Sequence, residues 1–342
     1  MGDEFLERTR RLQQRLLGAD PAGAIFFPSP NLFYLTGFWE EPMERHLFLF
    51  VPPDGDPVLV APALYESQLQ AETWVERIET YSDSTDPTGV IADVGDRLGM
   101  TAGTVLVDPT MWARFTLDLR QALPSAEFEL ADAVMVDLRQ TKDDPEIDRI
   151  TRASELTDAV MDRVRDLGPE AVGMTEAELA AWIRDALLER GDSLAFDVVV
   201  GSGPNGAKPH HRHGEREIEA GDPVVLDFGL RRNHYPSDTT RTIVFDGAPP
   251  AAFETVHEVV AEAQEAAVEA VEPGVPAESV DAAARSVIEA EGYGDEFIHR
   301  TGHGLGLDVH EDPYIVSGND DRLEPGMVFS VEPGIYLEGE FG

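Results

Sequence analysis

Two aspartates within a hairpin-like pattern make the stretch VVLDFGLRRNHYPSDTTRTIVF a candidate site for chemistry. Its two apolar runs have the pattern of strands, and pairing about the midpoint 232–233 would place Asp227 directly opposite Asp238. The Cβ atoms of opposed residues lie about 4.5–5.5 Å apart, and two carboxylates that close repel unless a proton or a cation lies between them. Pro236 leaves open a bulge that would shift this register. The spacing therefore indicates either a metal-binding pair or two unrelated strand acids.

Histidine and glutamate mark two later stretches. FIHRTGHGLGLDVHEDPYI contains His299, His303 and His310 among glycines that let the backbone approach a ligand closely. In LEPGMVFSVEPGIYL, Glu332 ends an apolar strand before a Pro-Gly turn. Taken separately, the histidines fit a solvated loop and the glutamate fits a surface position. Together with two opposed aspartates they form an oxygen-rich set with one imidazole, which suits Mn²⁺, Co²⁺, Zn²⁺ or Fe²⁺ better than a cysteine-type zinc site does.

Alternating helices and strands are predicted for residues 1–140. A helical pattern covers residues 5–17. The apolar runs AIFF, FYLTGF, LFLFV and PVLVAP are bounded by Gly, Pro and Asp, which favours buried strands. Further strands are predicted at 104–108 and near 134–138. Together these elements predict a compact α/β domain.

The pattern changes at TKDDPEIDRI. Asp144 as the N-cap and Pro145 in the first turn are typical of a helix start, and this helix is predicted to run to about residue 167. Thr175 and Glu178 form a capping box that opens a second helix ending near residue 190. The order of two helices followed by strands then recurs, which predicts a pseudo-symmetric domain with a cleft between its halves. The remaining predicted elements are strand-rich blocks at 196–245 and from 297 onward, and helices at 251–271 and 276–291.

Composition limits the class of protein. The 342 residues allow two domains of ordinary size, and the change in pattern divides them into 1–142 and 143–342. The 66 acidic against 26 basic residues give a net charge of −40, which argues against nucleic-acid binding because phosphate backbones attract Lys/Arg patches. No apolar run reaches the ~18–20 residues that span a bilayer.

The chain also lacks cysteine, which excludes disulfides and thiolate sites. We therefore predict a cytoplasmic protein without membrane contact. The acid excess fits either a merely soluble protein or a protein adapted to high salt. We favour adaptation to salt, because lysine is scarce as well.

Several motifs together resemble a known family. GSGPNGAKPHHR, VVLDFG, SDTTRT, GHGLGLDVHE and EPGMVFSVEPGIY are similar, in order, to the motif series of the pita-bread metallopeptidases. More narrowly, they resemble the Xaa-Pro peptidase branch, which comprises Xaa-Pro dipeptidase (prolidase) and Xaa-Pro aminopeptidase. PSPNLFYLTGF and LRQTKDDPEIDRI resemble the creatinase-like N-terminal domain of that branch. The resemblance implies an α/β (α+β) chain with a creatinase-like domain followed by a pita-bread catalytic domain.

The resemblance also implies roles for particular residues. Two divalent metal ions are expected, with Mn or Co favoured and Zn or Fe as alternatives. Asp238 would bridge the two ions. His211 and His213 are expected to be turn residues only. Four of the family's five metal ligands would be Asp227, Asp238, His303 and Glu332, and the histidines that contact substrate would be His210, His299 and His310.

The implied activity is hydrolysis of the peptide bond before proline in dipeptides or short peptides, by an enzyme that is commonly a homodimer. Glu332 would carry the proton from the attacking water to the leaving nitrogen, His310 would stabilise the oxyanion, and His210 would orient the substrate. Two other functions stay open. One is a metal-free, creatinase-like amidinohydrolase, and the other is a non-catalytic binding protein on the same fold.

The sequence departs from the family pattern at two places. The fifth ligand in the family is a Glu in a V-R-x-E-D-like strand shortly beyond the position of Phe341-Gly342, where this sequence stops. We therefore expect this sequence to be a truncated form. Family dipeptidases often carry Arg four residues after the position of His310, where it can bind the carboxylate of a dipeptide. Tyr314 stands there instead, which leaves room for aminopeptidase activity.

Overall fold

Residues 2–342 are described by a computed structural model, in which the chain divides into two units between Arg139 and Gln140. The predicted domain boundary between 142 and 143 lies a few residues away and stays a prediction. Within residues 2–342 no helix is long and apolar enough to cross a membrane.

A mixed six-stranded sheet forms the centre of the first unit. Its strand order is β4-β3-β2-β1-β5-β6, with β2 antiparallel to both neighbours and the other pairs parallel. The strands are β1 (Gly23–Phe26), β2 (Phe48–Val51), β3 (Val58–Pro62), β4 (Arg77–Tyr81), β5 (Ala102–Val107) and β6 (Ser125–Leu130). The helices in the described part of this unit are α1 (Asp3–Ala19), α2 (Pro30–Thr36), α3 (Glu66–Glu72), α4 (Pro87–Arg97), α5 (Ala113–Ala122) and α6 (Asp132–Arg139).

Burial on both faces explains why the inner strands are continuous apolar runs. Every residue of β1, β2 and β3 is buried. Alternate strand residues such as Ile25 and Phe48 share a core cluster with Ile91 of α4 and Phe115 of α5. The helix predicted over 5–17 and the strands predicted in AIFF, LFLFV, PVLVAP and 104–108 are thereby confirmed.

Two predicted strands of this unit are wrong. FYLTGF lies mostly in α2, because Ser29 Oγ accepts a hydrogen bond from Leu32 N (3.2 Å) and Gly37 ends the helix in the left-handed region (φ 79°). The strand predicted near 134–138 is helix α6. Its buried residues Met135 and Leu138 follow the helical spacing, which outweighs the β-propensity of the valines.

The second unit places two helix pairs against short strands. The first pair, α7 and α8, shares a core cluster with β8 and β9, and the second pair, α9 and α10, shares one with the C-terminal segment. The helices are α7 (Asp144–Arg165), α8 (Glu176–Leu188), α9 (Ala251–Glu269) and α10 (Ala277–Ala290). The strands are β7 (Ser193–Leu194), β8 (Val199–Ser202), β9 (Val224–Phe228), β10 (Leu230–Arg232), β11 (Tyr235–Pro236), β12 (Thr239–Ile243), β13 (Gly302–Gly304) and β14 (Glu311–Ile315).

Capping explains where the first helix pair begins. The box predicted from Thr175 and Glu178 is confirmed, since the Thr175 hydroxyl and the Glu178 carboxylate each accept from the other's backbone N–H (3.1 and 2.8 Å). For α7 the predicted N-cap is wrong by one residue. Asp143 rather than Asp144 caps the helix. Its carboxylate accepts a hydrogen bond from Glu146 N, and the Glu146 carboxylate accepts one from Asp143 N.

The hairpin that carries both aspartates has a different register from the predicted one. Asp227 lies opposite Thr240, not opposite Asp238. The turn is made by Asn233 and His234, both with positive φ (50° and 71°), whereas the predicted midpoint was one residue earlier. The partner of Asp227 is therefore two residues further along the second strand than predicted. Because side chains alternate between the faces of a sheet, Asp238 still lies on the same face as Asp227, as its diagonal neighbour.

Candidate active site

All seven side chains predicted from the sequence line one cavity of about 1540 Å³ in the second unit. They lie on three separate segments: a loop after β8, the β9–β12 hairpin, and the region from His299 to the C-terminal segment. The seven are His210, Asp227, Asp238, His299, His303, His310 and Glu332. Their roles stay predictions, but the chain does bring them together.

Asp227 and Asp238 are half-buried carboxylates without enough compensating charge. Burial, with the charges of Asp238 and Glu332, raises the pKa of Asp227 to about 7. Burial and the charge of Glu332 raise the pKa of Asp238 to about 6. Thr240, the cross-strand partner, donates a hydrogen bond to Asp227, but Asp227 Oδ1 remains buried without any hydrogen-bond partner. An oxygen in this state is poised to accept a proton or a cation.

His303 faces two carboxylates. Its Nε2 lies 3.1 Å from Glu332 Oε1 and 3.5 Å from Asp238 Oδ2, while Nδ1 donates to the Gly304 carbonyl (3.1 Å). Burial alone would lower the pKa of His303, but the hydrogen bond and charge of Glu332 raise it. Burial would raise the pKa of Glu332, but His303 and a hydrogen bond from Ser330 (2.9 Å) lower it. His303 and Glu332 therefore stabilise one another as an ion pair.

Glycines permit the backbone packing that brings this pair together. The His303 carbonyl accepts from Ser330 N (2.8 Å), which holds β13 against the segment that carries Glu332. A Cβ on Gly302 would overlap the Ser330 carbonyl, and a Cβ on Gly304 would overlap the Asp312 carbonyl. Glycine is therefore required on both sides of His303, because the backbone of another segment lies too close for a side chain at each position.

The donors suit a divalent cation, although they touch one another directly. Within residues 2–342, no three His, Asp or Glu side chains already have the spacing of ligands around one ion. The set nevertheless supplies three carboxylates and one imidazole, which is the donor chemistry preferred by Mn²⁺ and similar ions. A cation among them would also satisfy Asp227 Oδ1 and offset the burial and the repulsion that together raise the aspartate pKa values.

The other three histidines differ in how firmly they are held. His299 Nδ1 donates to the Arg300 carbonyl (2.7 Å), so Nε2 accepts from the Tyr336 hydroxyl (2.9 Å). His310 keeps part of its surface exposed, and its ring centroid lies 4.1 Å from that of His303. Partial desolvation of the ring, together with the charges of His303 and Arg300, lowers the pKa of His310. His210 is exposed on the loop after β8.

Sequence reasoning missed four residues that support these groups. Thr240 could have been found from the SDTTRT strand had the register been correct. Ser330 lies two residues before Glu332, and its hydroxyl donates to the Glu332 carboxylate (2.9 Å). Tyr336 and Arg300 gave no signal, because their contacts depend on how distant segments fold together.

Both parts of the chain match known families. Residues 148–342 match metallopeptidase family M24, and residues 8–141 match the creatinase/prolidase N-terminal domain. The family implies divalent metal ions, and the predicted resemblance to the pita-bread metallopeptidases is confirmed.

Individual relatives match along almost the whole chain. The probable dipeptidase PepE of Mycobacterium tuberculosis is 42% identical over 327 residues, covering 94% of this chain and 85% of the relative. The crystal structure of a recombinant prolidase from Thermococcus sibiricus has a TM-score of 0.93 at 39% identity, covering 100% of this chain and 93% of that one. A dipeptidase structure from Pyrococcus horikoshii has a TM-score of 0.92 at 38% identity, with 98% and 92% covered. With this fold, these relatives and this cavity, the chain belongs to metallopeptidase family M24 and is a peptidase with a creatinase/prolidase-type N-terminal domain.

Proposed function

We propose that this peptidase uses two divalent metal ions to hydrolyse the Xaa-Pro bond of dipeptides. The observation that carries the proposal is the group of Asp227, Asp238, His303 and Glu332 in one cavity, in which one buried aspartate oxygen has no partner. The names of the relatives, a prolidase and two dipeptidases, support a dipeptide substrate.

These four side chains would hold the ions. When bound, divalent ions of this kind polarise a substrate carbonyl and bring the pKa of water toward ~7. His303 must release its Nε2 proton before that nitrogen can become a ligand, because the same atom now faces Glu332 and Asp238.

The remaining steps are proton transfers and contacts made by the chain itself. Glu332, held by Ser330 Oγ, would accept a proton from the attacking water and deliver it to the proline nitrogen as the C–N bond breaks. His310 would donate to the oxygen of the tetrahedral intermediate, which its exposed position in the cavity permits. His210 would orient the substrate beyond the scissile bond, and His299, fixed by Tyr336, would contact the substrate.

Metal analysis combined with a peptidase assay tests this function. We expect about two ions per chain, and hydrolysis of Leu-Pro that requires added Mn²⁺ or Co²⁺. Activity on creatine without metal would instead indicate an amidinohydrolase, and absence of both metal and turnover would indicate a binding protein. Leu-Pro-Ala serves as the longer substrate, and its preferred cleavage would indicate an aminopeptidase. A homodimer stays a prediction, which light scattering of the purified protein checks.

A further inference from the structure

A cationic side chain in the cavity lacks a carboxylate partner. Arg300 lines the cavity and stacks on Tyr314, with its Cζ 4.4 Å from the ring centroid. Backbone pairing holds the two segments together, because Thr301 N donates to the Ile315 carbonyl (3.0 Å). No carboxylate of residues 2–342 forms an ion pair with Arg300. In a chain with 66 acidic and 26 basic residues, an arginine without an acid is unexpected.

The other cations of the cavity are placed differently. Arg184 lies 3.5 Å from an Asp185 oxygen, Lys208 donates to Asn205 (2.9 Å), and Arg241 donates to the carbonyl of Thr240 (2.7 Å). Arg212 is fully exposed on its loop. Arg300 differs from all of them because it is half-buried, its plane is held by an aromatic ring, and its charge acts on His310.

We propose that Arg300, held by Tyr314, binds the C-terminal carboxylate of the substrate. This proposal rests on the proposed function, and it favours dipeptides over longer peptides. One residue spans about 3.5 Å, so the carboxylate of a dipeptide lies a single residue beyond the scissile bond. A guanidinium presents paired N–H donors that match a carboxylate, and stacking keeps that plane oriented without consuming the donors. A peptide that continues beyond proline offers a neutral amide at the same place.

Three substrates test the assignment in the metal-loaded enzyme: Leu-Pro, Leu-Pro amide and Leu-Pro-Ala. We expect the wild type to prefer Leu-Pro. Arg300→Gln should raise KM for Leu-Pro about 10- to 100-fold, as expected for loss of a charge-assisted contact, while kcat/KM for the amide changes little. Tyr314→Leu should weaken Leu-Pro binding in the same direction by a smaller factor. Arg212→Gln is the matched control and should leave KM and kcat/KM unchanged for all three substrates.

The outcomes distinguish a failure of the Arg300 assignment from a failure of the proposed function. If wild-type enzyme cleaves none of the three peptides, the proposed function fails. If it cleaves them but Arg300→Gln leaves the ratio of Leu-Pro to Leu-Pro amide unchanged, the role of Arg300 is wrong. Circular dichroism and KM for the amide show whether the variant is folded, so a lost preference cannot be mistaken for unfolding.

A second, independent observation concerns a buried carboxylate outside the proposed metal group. The Glu176 side chain is fully buried at the start of α8. Its Oε1 accepts from Ser202 N (2.8 Å), Ser202 Oγ (2.8 Å) and Asn205 Nδ2 (3.0 Å). Its Oε2 lies 2.7 Å from His211 Nε2 and accepts from Gly214 N (3.3 Å). Burial would raise the pKa of Glu176, but these hydrogen bonds lower it, so the carboxylate is ionised and His211 donates.

We infer that Glu176 is a positioning residue for His210. Its five contacts hold the beginning, middle and end of the loop 202–214, which carries His210 into the cavity. A backbone hydrogen bond from His211 N to the Lys208 carbonyl (2.9 Å) also holds this loop. The exposed His210 therefore depends on its backbone for its position. The neighbouring His211, expected to be a plain turn residue, is instead part of the anchor.

A double-mutant cycle tests this role. Glu176→Gln should lower kcat/KM in the wild-type background, up to about 100-fold as expected for a displacement near 1 Å, and should have little further effect in a His210→Ala background. His211→Gln removes one contact only and should show the same pattern more weakly, which covers the case in which Glu176→Gln fails to fold. Glu178→Gln, an exposed acid on the same helix, is the control. Equal losses in both backgrounds would overturn the inference.

Discussion

Glu332 Oε1 lies 3.1 Å from His303 Nε2, and the backbone fixes this pair because Glu332 N donates to the Thr301 carbonyl (2.8 Å). The backbone hydrogen bonds from Glu332 N to the Thr301 carbonyl and from Ser330 N to the His303 carbonyl use neither side chain. The chemistry of the pair can therefore be removed without removing the fold that presents it.

The first prediction follows directly. His303→Ala or Asp238→Asn should lower kcat/KM for Leu-Pro by at least about 1000-fold, since each removes a proposed ligand from the reacting centre. Far-UV circular dichroism should remain nearly unchanged, because Ser330 N still donates to the carbonyl of residue 303. Substantial turnover in either variant would show that the substituted residue is not an essential ligand.

The second prediction concerns stability without metal. The pKa of Asp227 is about 7 in the folded chain and about 3.9 when unfolded. Its contribution to stability is therefore fully present below about pH 4 and is lost as the pH rises through 7. Asp227→Asn removes this ionisation. In EDTA it should raise the free energy of unfolding by about 2–4 kcal/mol at pH 8 and by much less at pH 4.5.

Urea denaturation at the two pH values checks this, with Asp197→Asn, an exposed acid of the same cavity, as control. Added Mn²⁺ should stabilise the wild type more than Asp227→Asn, because the positive ion binds the ionised carboxylate that only the wild type has. Equal stability of wild type and Asp227→Asn at pH 8 would show that the aspartate pair is not strained.

The sequence predicted local features better than pairings between distant residues. The Thr175–Glu178 capping box depends on neighbours three apart and was predicted correctly. The hairpin register depends on which two residues accept positive φ, and the pattern alone did not separate Asn233–His234 from the pair before it. Glu176 gave no signal, because its partners lie 26 to 38 residues further along.

The third prediction uses the only two lysines of the chain. Lys142 is fully buried and lies 2.8 Å from Glu311, the residue after His310. Lys142→Met should destabilise the protein by about 3 kcal/mol, because Glu311 loses the cation that offsets its burial. Lys208→Met, an exposed matched control, should change stability by no more than about 0.5 kcal/mol. Glu311→Gln added to Lys142→Met should recover part of the loss, and a neutral effect of Lys142→Met would contradict the ion-pair argument.

The last prediction concerns salt. A net charge of −40 makes the folded surface repel itself, and the Debye length falls from ~10 Å at 0.1 M to ~3 Å at 1 M salt. The melting temperature should therefore rise steeply between 0.1 and 1 M KCl and more gradually above that. Sucrose at equal osmolality separates screening from solute exclusion, because it strengthens burial without screening charge. If KCl and sucrose stabilise the protein equally, its acidity does not act through charge repulsion and the predicted adaptation to salt is wrong.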